Sequence, residues 1–303
     1  MADNRKTIAG VLPVFQTPFN DDETIDAQTL EREIDWLYEC GVDGIVMAMV
    51  SEILRLSTDE RMRLAELACK FNKNRGVVII SVGAESSSVA EQFASHAQKI
   101  GANAVMAIPP VSVALLEDQL LNYYRRIIRS IELPVIIQDA SGYVGRPLSI
   151  ELQSRLFDEF GSERVMFKPE ATPIGPRLSA LRDATDGHAK IFEGTGGLAL
   201  VDSYRRGIAG TMPGADLIRG IVALWKALNA GDEQRIYALS TPIAALCSIQ
   251  NSLDAFLAIE KYLLVRQGIF RNTRIRGPVG YLLDEETRRE VDRLFDLILN
   301  LVS

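Results

Sequence analysis

The sequence predicts an α/β chain folded as a (β/α)8 barrel with a C-terminal helical extension. Three observations predict it. Eight short runs rich in Val, Ile and Met lie between residues 10 and 212; each is nearly continuous in hydrophobicity, as strands buried on both faces of a parallel sheet are; and each is followed by a stretch of helical periodicity. At 303 residues the chain has room for one such barrel, which fills about 250 residues, and a remainder. An open doubly wound sheet is the rival, but it usually has fewer strands and a glycine-rich first turn, and no G-x-G-x-x-G follows the first run.

The elements follow in order. The first run, "GVLPVFQTPF" (10–19), leads to "DAQTLEREIDWLYECG", which opens at a capping Asp26, closes at Gly41 and carries Leu30, Ile34, Leu37 and Tyr38 on one stripe. The second, "GIVMAMV" (44–50), precedes "STDERMRLAELACKFN", where Ser57 stands three residues before Glu60 in the capping-box pattern. The third and fourth, "GVVIISVG" (76–83) and "NAVMAIPP" (103–110), precede the helical "SSSVAEQFASHAQKIG" and "LEDQLLNYYRRIIRSI". The fifth and sixth, "LPVIIQDA" (133–140) and "ERVMFKPE" (163–170), precede "SIELQSRLFDEFG" and "GPRLSALRDA". The seventh and eighth, "AKIFEG" (189–194) and "GIAGTM" (207–212), precede "GLALVDSYRRG" and "ADLIRGIVALWKALNAG". Beyond residue 230 the strands stop and three helical stretches remain, so a catalytic TIM barrel over 1–230 and C-terminal helices over 231–303 packed on its wall are expected. "FRNTRIRGP" (270–278) is the one loop there with a charge cluster.

Composition narrows the function. Hydrophobic content of 47% and charged content of 24% are those of an ordinary globular protein. A net charge of −7 argues against nucleic-acid binding, which relies on clustered Lys and Arg, and Arg125, Arg126 and Arg129 are spaced as on a solvated helix face. Cys40, Cys69 and Cys247 form no CxxC pair and read as reduced thiols of a cytoplasmic protein. His96 and His188 are too few for a histidine-based metal site, and no metal is expected. The opening "MADNRKTIAG" is too short and polar for a secretion signal, and no apolar run approaches the roughly 20 residues of a membrane span, so no membrane partner is expected.

In a barrel the C-terminal strand ends face the active site. The candidates are Thr17 and Pro18; Val50, Ser51 and Glu52; Gly83; Pro109 and Pro110; Gln138 and Asp139; Lys168 and Glu170; Glu193 and Gly194; and Thr211, Pro213 and Gly214. Only Lys168, in "VMFKPEA" (165–171), is an amine nucleophile; read alone, the stretch favours the plainer reading, a first solvated residue after a strand with its stem lying on apolar surface. Among apolar strand residues desolvation favours the neutral amine, which condenses with a ketone. Strand alternation places Glu170 on the same face, and Pro169, without an amide donor, suits the end of a strand. Spacing by itself leaves a catalytic pair and a surface ion pair both open.

From "PVFQTPF" to "RGP" the chain resembles the dihydrodipicolinate synthase and N-acetylneuraminate lyase superfamily of Schiff-base class I aldolases. The resemblance rests on "TPF", Glu52 followed by "LSTDER", the lysine of "VMFKPE", and "GIAGTMPG". It implies a homotetrameric barrel, a dimer of dimers, in which Lys168 forms an imine with a small 2-oxo acid and no cofactor is needed, because the imine is the electron sink. Two departures matter. Where most members carry Gly-Thr-Thr-Gly-Glu this chain has "AMVSE" (48–52), and where they carry a tyrosine at the fifth strand end it has "QDAS" (138–141). The 2-keto-3-deoxy-L-arabonate dehydratases share "AMVSE"-like, "QDA" and "FKPE"-like segments, which implies that Glu170 replaces the tyrosine as acid/base. By the same resemblance Thr17, Val50, Ser51, Gln138, Glu193, Gly194, Thr211 and Pro213 are expected at the substrate, the Ser51 hydroxyl against its carboxylate. A pyruvate-dependent aldolase and a non-catalytic barrel that binds a 2-oxo acid stay open as alternatives. The placement of Ser112, Tyr143 and Thr195 does not follow from the sequence.

Overall fold

In the computed structural model, which describes residues 6–143 and 146–302, strands and helices alternate as expected; the first five residues of the opening segment lie outside the described residues. The order is β1 (Gly10–Val11), α1 (Ala27–Glu39), β2 (Gly44–Met47), α2 (Thr58–Asn72), β3 (Val77–Ser81), α3 (Ser87–Lys99), β4 (Ala104–Ala107) and α4 (Glu117–Ser130). It continues with β5 (Val135–Gln138), α5 (Ile150–Phe160), β6 (Val165–Lys168), α6 (Ile174–Ala184), β7 (Phe192–Glu193), α7 (Leu200–Arg205), β8 (Gly210–Thr211) and α8 (Ile218–Ala230). Helices α9 (Glu233–Ile249), α10 (Leu253–Arg266) and α11 (Glu285–Val302) complete it.

All strand pairs are parallel. Strands β2 to β6 form one continuous ladder in chain order, and β1, β8 and β7 form a second. Two single bridges close the ring: Val14 with Val46, and Phe167 with Ile191. The Phe15 amide donates to Val46 O at 3.1 Å and the Phe167 amide to Lys190 O at 3.0 Å across these seams. The run read over 10–19 is therefore a two-residue strand and a bridge, and β7 and β8 are equally short. Proline explains the first case: Pro13 and Pro18 cannot donate to a ladder, although Pro13 O still accepts from the Val46 amide. The helix expected over 197–207 is likewise only Leu200–Arg205, following Gly196 and Gly197 at positive φ.

Helix boundaries have local causes. The Asp26 carboxylate accepts from the Gln28 and Thr29 amides at 3.1 and 3.0 Å. Ser57 and Glu60 close the capping box, Glu60 N to Ser57 Oγ at 3.2 Å and Ser57 N to Glu60 Oε2 at 2.9 Å. Such a cap contributes about 1 kcal/mol.

Strand parity divides the core into two layers. Ile45, Met47, Val78, Ile80, Val135, Ile137, Val165 and Phe167 face the helices and pack with Leu30, Leu64, Leu121 and Leu156. Val46, Ile79, Met106, Ile136, Met166 and Phe192 fill the barrel interior. Helices α9 and α11 pack with α8 on the outside, whereas α10 sends Phe256 and Leu257 into the interior cluster. Among the described residues no helix is long and apolar enough to cross a membrane. Cys40, Cys69 and Cys247 are free thiols, the first two partly exposed and the third buried.

Candidate active site

Lys168 continues the inward parity of Met166, and Gln138 that of Ile136; the two are register partners across β5 and β6. The Lys168 ammonium lies 2.9 Å from Glu170 Oε1, and each side chain is only 5% exposed. Gln138 Nε2 donates to the same oxygen at 3.1 Å. An ionised carboxylate only accepts, so this contact fixes the amide orientation. Glu170 Oε2 and Gln138 Oε1 are buried without a partner among the described residues. Gly194 closes the other side: a Cβ there would stand 2.7 Å from Lys168 Cε and 2.8 Å from Glu170 Oε1, so only glycine leaves the lysine its place.

A small cavity of about 20 Å³ adjoins the pair, room for about one water. Of the residues expected at the substrate, Val50, Gln138, Lys168, Glu170, Gly194 and Pro213 line it. Thr17, Ser51, Glu193 and Thr211 do not; they are hydrogen-bonded in two pairs, Thr17 with Ser51 and Thr211 with Glu193. Thr17 Oγ1 donates to Ser51 O at 2.6 Å, and the Ser51 hydroxyl donates to Phe15 O at 2.6 Å while accepting from the Ala48 amide at 3.2 Å. The proton expected to face a substrate carboxylate is thus used on the Phe15 carbonyl of the first strand segment. Thr211 Oγ1 donates to Glu193 Oε2 at 2.6 Å, and the Thr195 amide and hydroxyl both donate to Glu193 Oε1. Parity accounts for this, because the neighbours Phe192 and Met212 point inward instead. Ser112 is drawn away by Glu85, which takes its amide at 3.1 Å, its hydroxyl, and the Val111 amide at 2.9 Å.

Tyr143, Phe256, Met49 and Met212 also line the cavity and were not readable as a set. Tyr143 is brought there by a tight turn after β5: Asp139 Oδ1 takes the Ser141 amide at 2.9 Å, Asp139 Oδ2 the Leu148 amide at 3.1 Å, and Ala140 adopts φ +54°. The signal available was "DASG", an Asx-turn pattern. Nothing local announces Phe256, which meets the Tyr143 ring edge-on at 6.4 Å.

A second buried charge cluster supports the mouth. Lys261 of α10 donates to Thr17 O at 2.8 Å, to Arg274 O at 2.7 Å and to the Glu52 carboxylate. Glu52 itself holds φ +58° between two short helical turns, Met49–Ser51 and Ile53–Arg55, and its Oε2 accepts from the Arg276 amide at 3.1 Å. The charge cluster of the 270–278 loop is spent on this strap: the Arg276 guanidinium grips Glu60 at 2.6 Å and lies over the Phe19 ring. Nearby, burial pushes the Glu33 carboxyl up to about 8 and the Asp216 carboxyl up to about 6. Burial, with Asp216 next, holds Glu260 well above the carboxylate range.

A family model described as "Dihydrodipicolinate synthetase family" matches residues 7–297. The chain is 28% identical over 290 residues to an "L-2-keto-3-deoxyarabonate dehydratase" of Azospirillum brasilense, covering 93% of this chain and 92% of that one. It is 34% identical over 152 residues, half of each chain, to a "Probable 2-dehydro-3-deoxy-D-pentonate aldolase" of Escherichia coli. A crystal structure of the chloride-inhibited dihydrodipicolinate synthase from Acinetobacter baumannii, complexed with pyruvate, superposes with a TM-score of 0.86 at 25% identity, covering 96% of this chain and 99% of that one.

Proposed function

The chain belongs to the dihydrodipicolinate synthetase family, which makes it a Schiff-base lyase of a small 2-oxo acid, and from that premise we propose that it dehydrates a 2-keto-3-deoxy sugar acid. The observation that carries the proposal is the 2.9 Å contact of Lys168 with Glu170, with glutamine at the end of the fifth strand. Lys168 gives its proton to Glu170 and adds to the C2 ketone; Glu170 returns the proton to the departing oxygen as the imine forms. The freed carboxylate takes a proton from C3, giving an enamine. The enamine expels the C4 oxygen, which leaves as water with that same proton; the conjugated C3=C4 iminium tautomerises, a proton passing from C5 to C3 and the resulting C4=C5 enol becoming a carbonyl at C5, and hydrolysis frees the lysine. Val50, Pro213 and Gly194 supply apolar and backbone walls around the reacting carbons.

The comparisons taken together support the broader reading, a pyruvate-dependent aldolase or lyase, better than the dehydratase, since the relatives named for carbon–carbon chemistry include the aldolase and the pyruvate-bound synthase. Tyr143 favours that second reading too, because it returns a phenol to the cavity. In it, the C4 hydroxyl is deprotonated and the C3–C4 bond breaks. Incubation with 2-keto-3-deoxy-pentonates and -hexonates separates the two: a semialdehyde 2-oxo acid is the expected product, and pyruvate with an aldehyde and no semialdehyde sinks dehydration. The same reading carries a cytoplasmic enzyme, in keeping with three free thiols, and a homotetramer, for which the exposed Leu54, Val113 and Leu116 are available contact residues.

A further inference from the structure

The polar groups around the cavity do not match a substrate as plain as pyruvate. Glu170 Oε2, in a side chain 5% exposed, is an acceptor without a donor. The half-buried Tyr143 side chain makes no hydrogen bond among the described residues; its ring meets Phe256 edge-on at 6.4 Å and lines the same cavity as Glu170. A buried acceptor such as Glu170 Oε2 is seldom left unpaired without a reason, and the Tyr143 phenol is a donor on the same cavity wall. Tyr123 and Tyr262 are satisfied by contrast: Tyr123 donates to Ile108 O at 3.2 Å and accepts from the Ala84 amide at 2.9 Å, and Tyr262 meets the Asp292 carboxylate at 2.9 Å. Tyr124 is also unpaired, but it sits in the helix-facing layer, away from the cavity.

One group answers both needs at once. A hydroxyl donates one hydrogen bond and accepts another, whereas a methyl does neither. We propose that Tyr143 is a specificity-determining residue, its phenol donating to the oxygen on C4 of the substrate while that hydroxyl donates to Glu170 Oε2. The inference rests on the reading of the site as a 2-oxo acid lyase. It holds for dehydration and for retro-aldol cleavage alike, because both begin from a hydroxyl at C4. Burial, and then the Glu170 charge, raise the phenol well above its ordinary range, so it acts as a neutral donor and keeps its proton. Replacing tyrosine by phenylalanine removes that donor and little else.

The test is capture of substrate imines by borohydride, read by intact mass, with 4-hydroxy-2-oxobutanoate and 2-oxobutanoate as paired probes. Wild-type protein is expected to capture the hydroxylated acid at about tenfold lower concentration than its 4-deoxy counterpart, and Tyr143→Phe to bring the ratio near one. Thermal unfolding verifies that the variant is folded. No preference in the wild type, or a preference that survives in Tyr143→Phe, overturns the assignment. Failure of the reaction reading shows separately, in the product analysis, because capture needs no turnover at C4. Capture of neither acid removes the lyase reading and this inference with it.

Discussion

Among the described residues two lysine–glutamate pairs are buried, and they are built to opposite specifications. The side chains of Lys261 and Glu52 are wholly inaccessible, and no polar atom is left alone: the ammonium has three acceptors, and each carboxylate oxygen has a donor, one the ammonium and the other the Arg276 amide. Lys168 and Glu170 are almost as buried, yet Glu170 keeps a free oxygen and the pair faces a cavity. A satisfied pair holds segments together; an unsatisfied pair is held for something that arrives later. Composition does not separate them, because both are a lysine and a glutamate; spacing does, since one pair stands two residues apart at a strand end and the other 209 residues apart.

The sharpest way to break this contrast is to exchange the outcomes of matched substitutions. Lys168→Met is expected to abolish both turnover and borohydride-trapped adducts. Glu170→Gln, which keeps the shape and loses the base, is expected to lower kcat by about 10²- to 10⁴-fold while imine capture persists, the range of a lost general acid–base. A Glu170→Gln enzyme of full activity would remove the acid/base role. Lys261→Met should act on folding instead, since it strands Glu52 as an uncompensated buried charge at a cost of about 3–5 kcal/mol by urea denaturation. Adding Glu52→Gln should recover much of that loss. If Lys168→Met destabilised the chain as strongly as Lys261→Met, the two pairs would be of one kind.

A smaller effect sharpens the picture of the supporting cluster. Glu33 is fully buried beside Gln16, whose amide donates to it at 2.8 Å, and its carboxyl is raised from 4.5 to about 8. The folded chain therefore keeps a proton that the unfolded chain gives up. Its contribution is complete below about pH 4.5 and is lost as the pH rises toward 8, at up to about 1.4 kcal/mol per pH unit. Glu33→Gln should flatten the decline in denaturation midpoint between these limits; an unaltered slope would place the titration elsewhere.

Much of the site was legible because strand parity is a local rule. Lys168 and Glu170 share a face by spacing, and Gln138 falls opposite Lys168 once β5 and β6 pair in register. The same rule, applied at Glu193 and Thr211, turns them away from the cavity, which a search for strand-end residues does not distinguish. Tyr143 depended on one backbone conformation, φ +54° at Ala140, which no side chain there demands. The short first, seventh and eighth strands were read too long because apolar content continues where prolines and glycines have already ended the ladder. Phe256 and Lys261 were out of reach for another reason: their partners, Tyr143 and Glu52, stand 113 and 209 residues away, and only the packing of α10 across the mouth brings them home.

That packing bears on how the protein can be divided. A chain ended after residue 230 would retain all eight strands and the reactive lysine, and by count would still be a barrel. It would lack the ring that holds Tyr143, the ammonium that neutralises Glu52, and the Arg276 amide on its second oxygen. The smallest transplantable unit for anyone grafting this chemistry onto another scaffold therefore includes α10 and the strap that follows it.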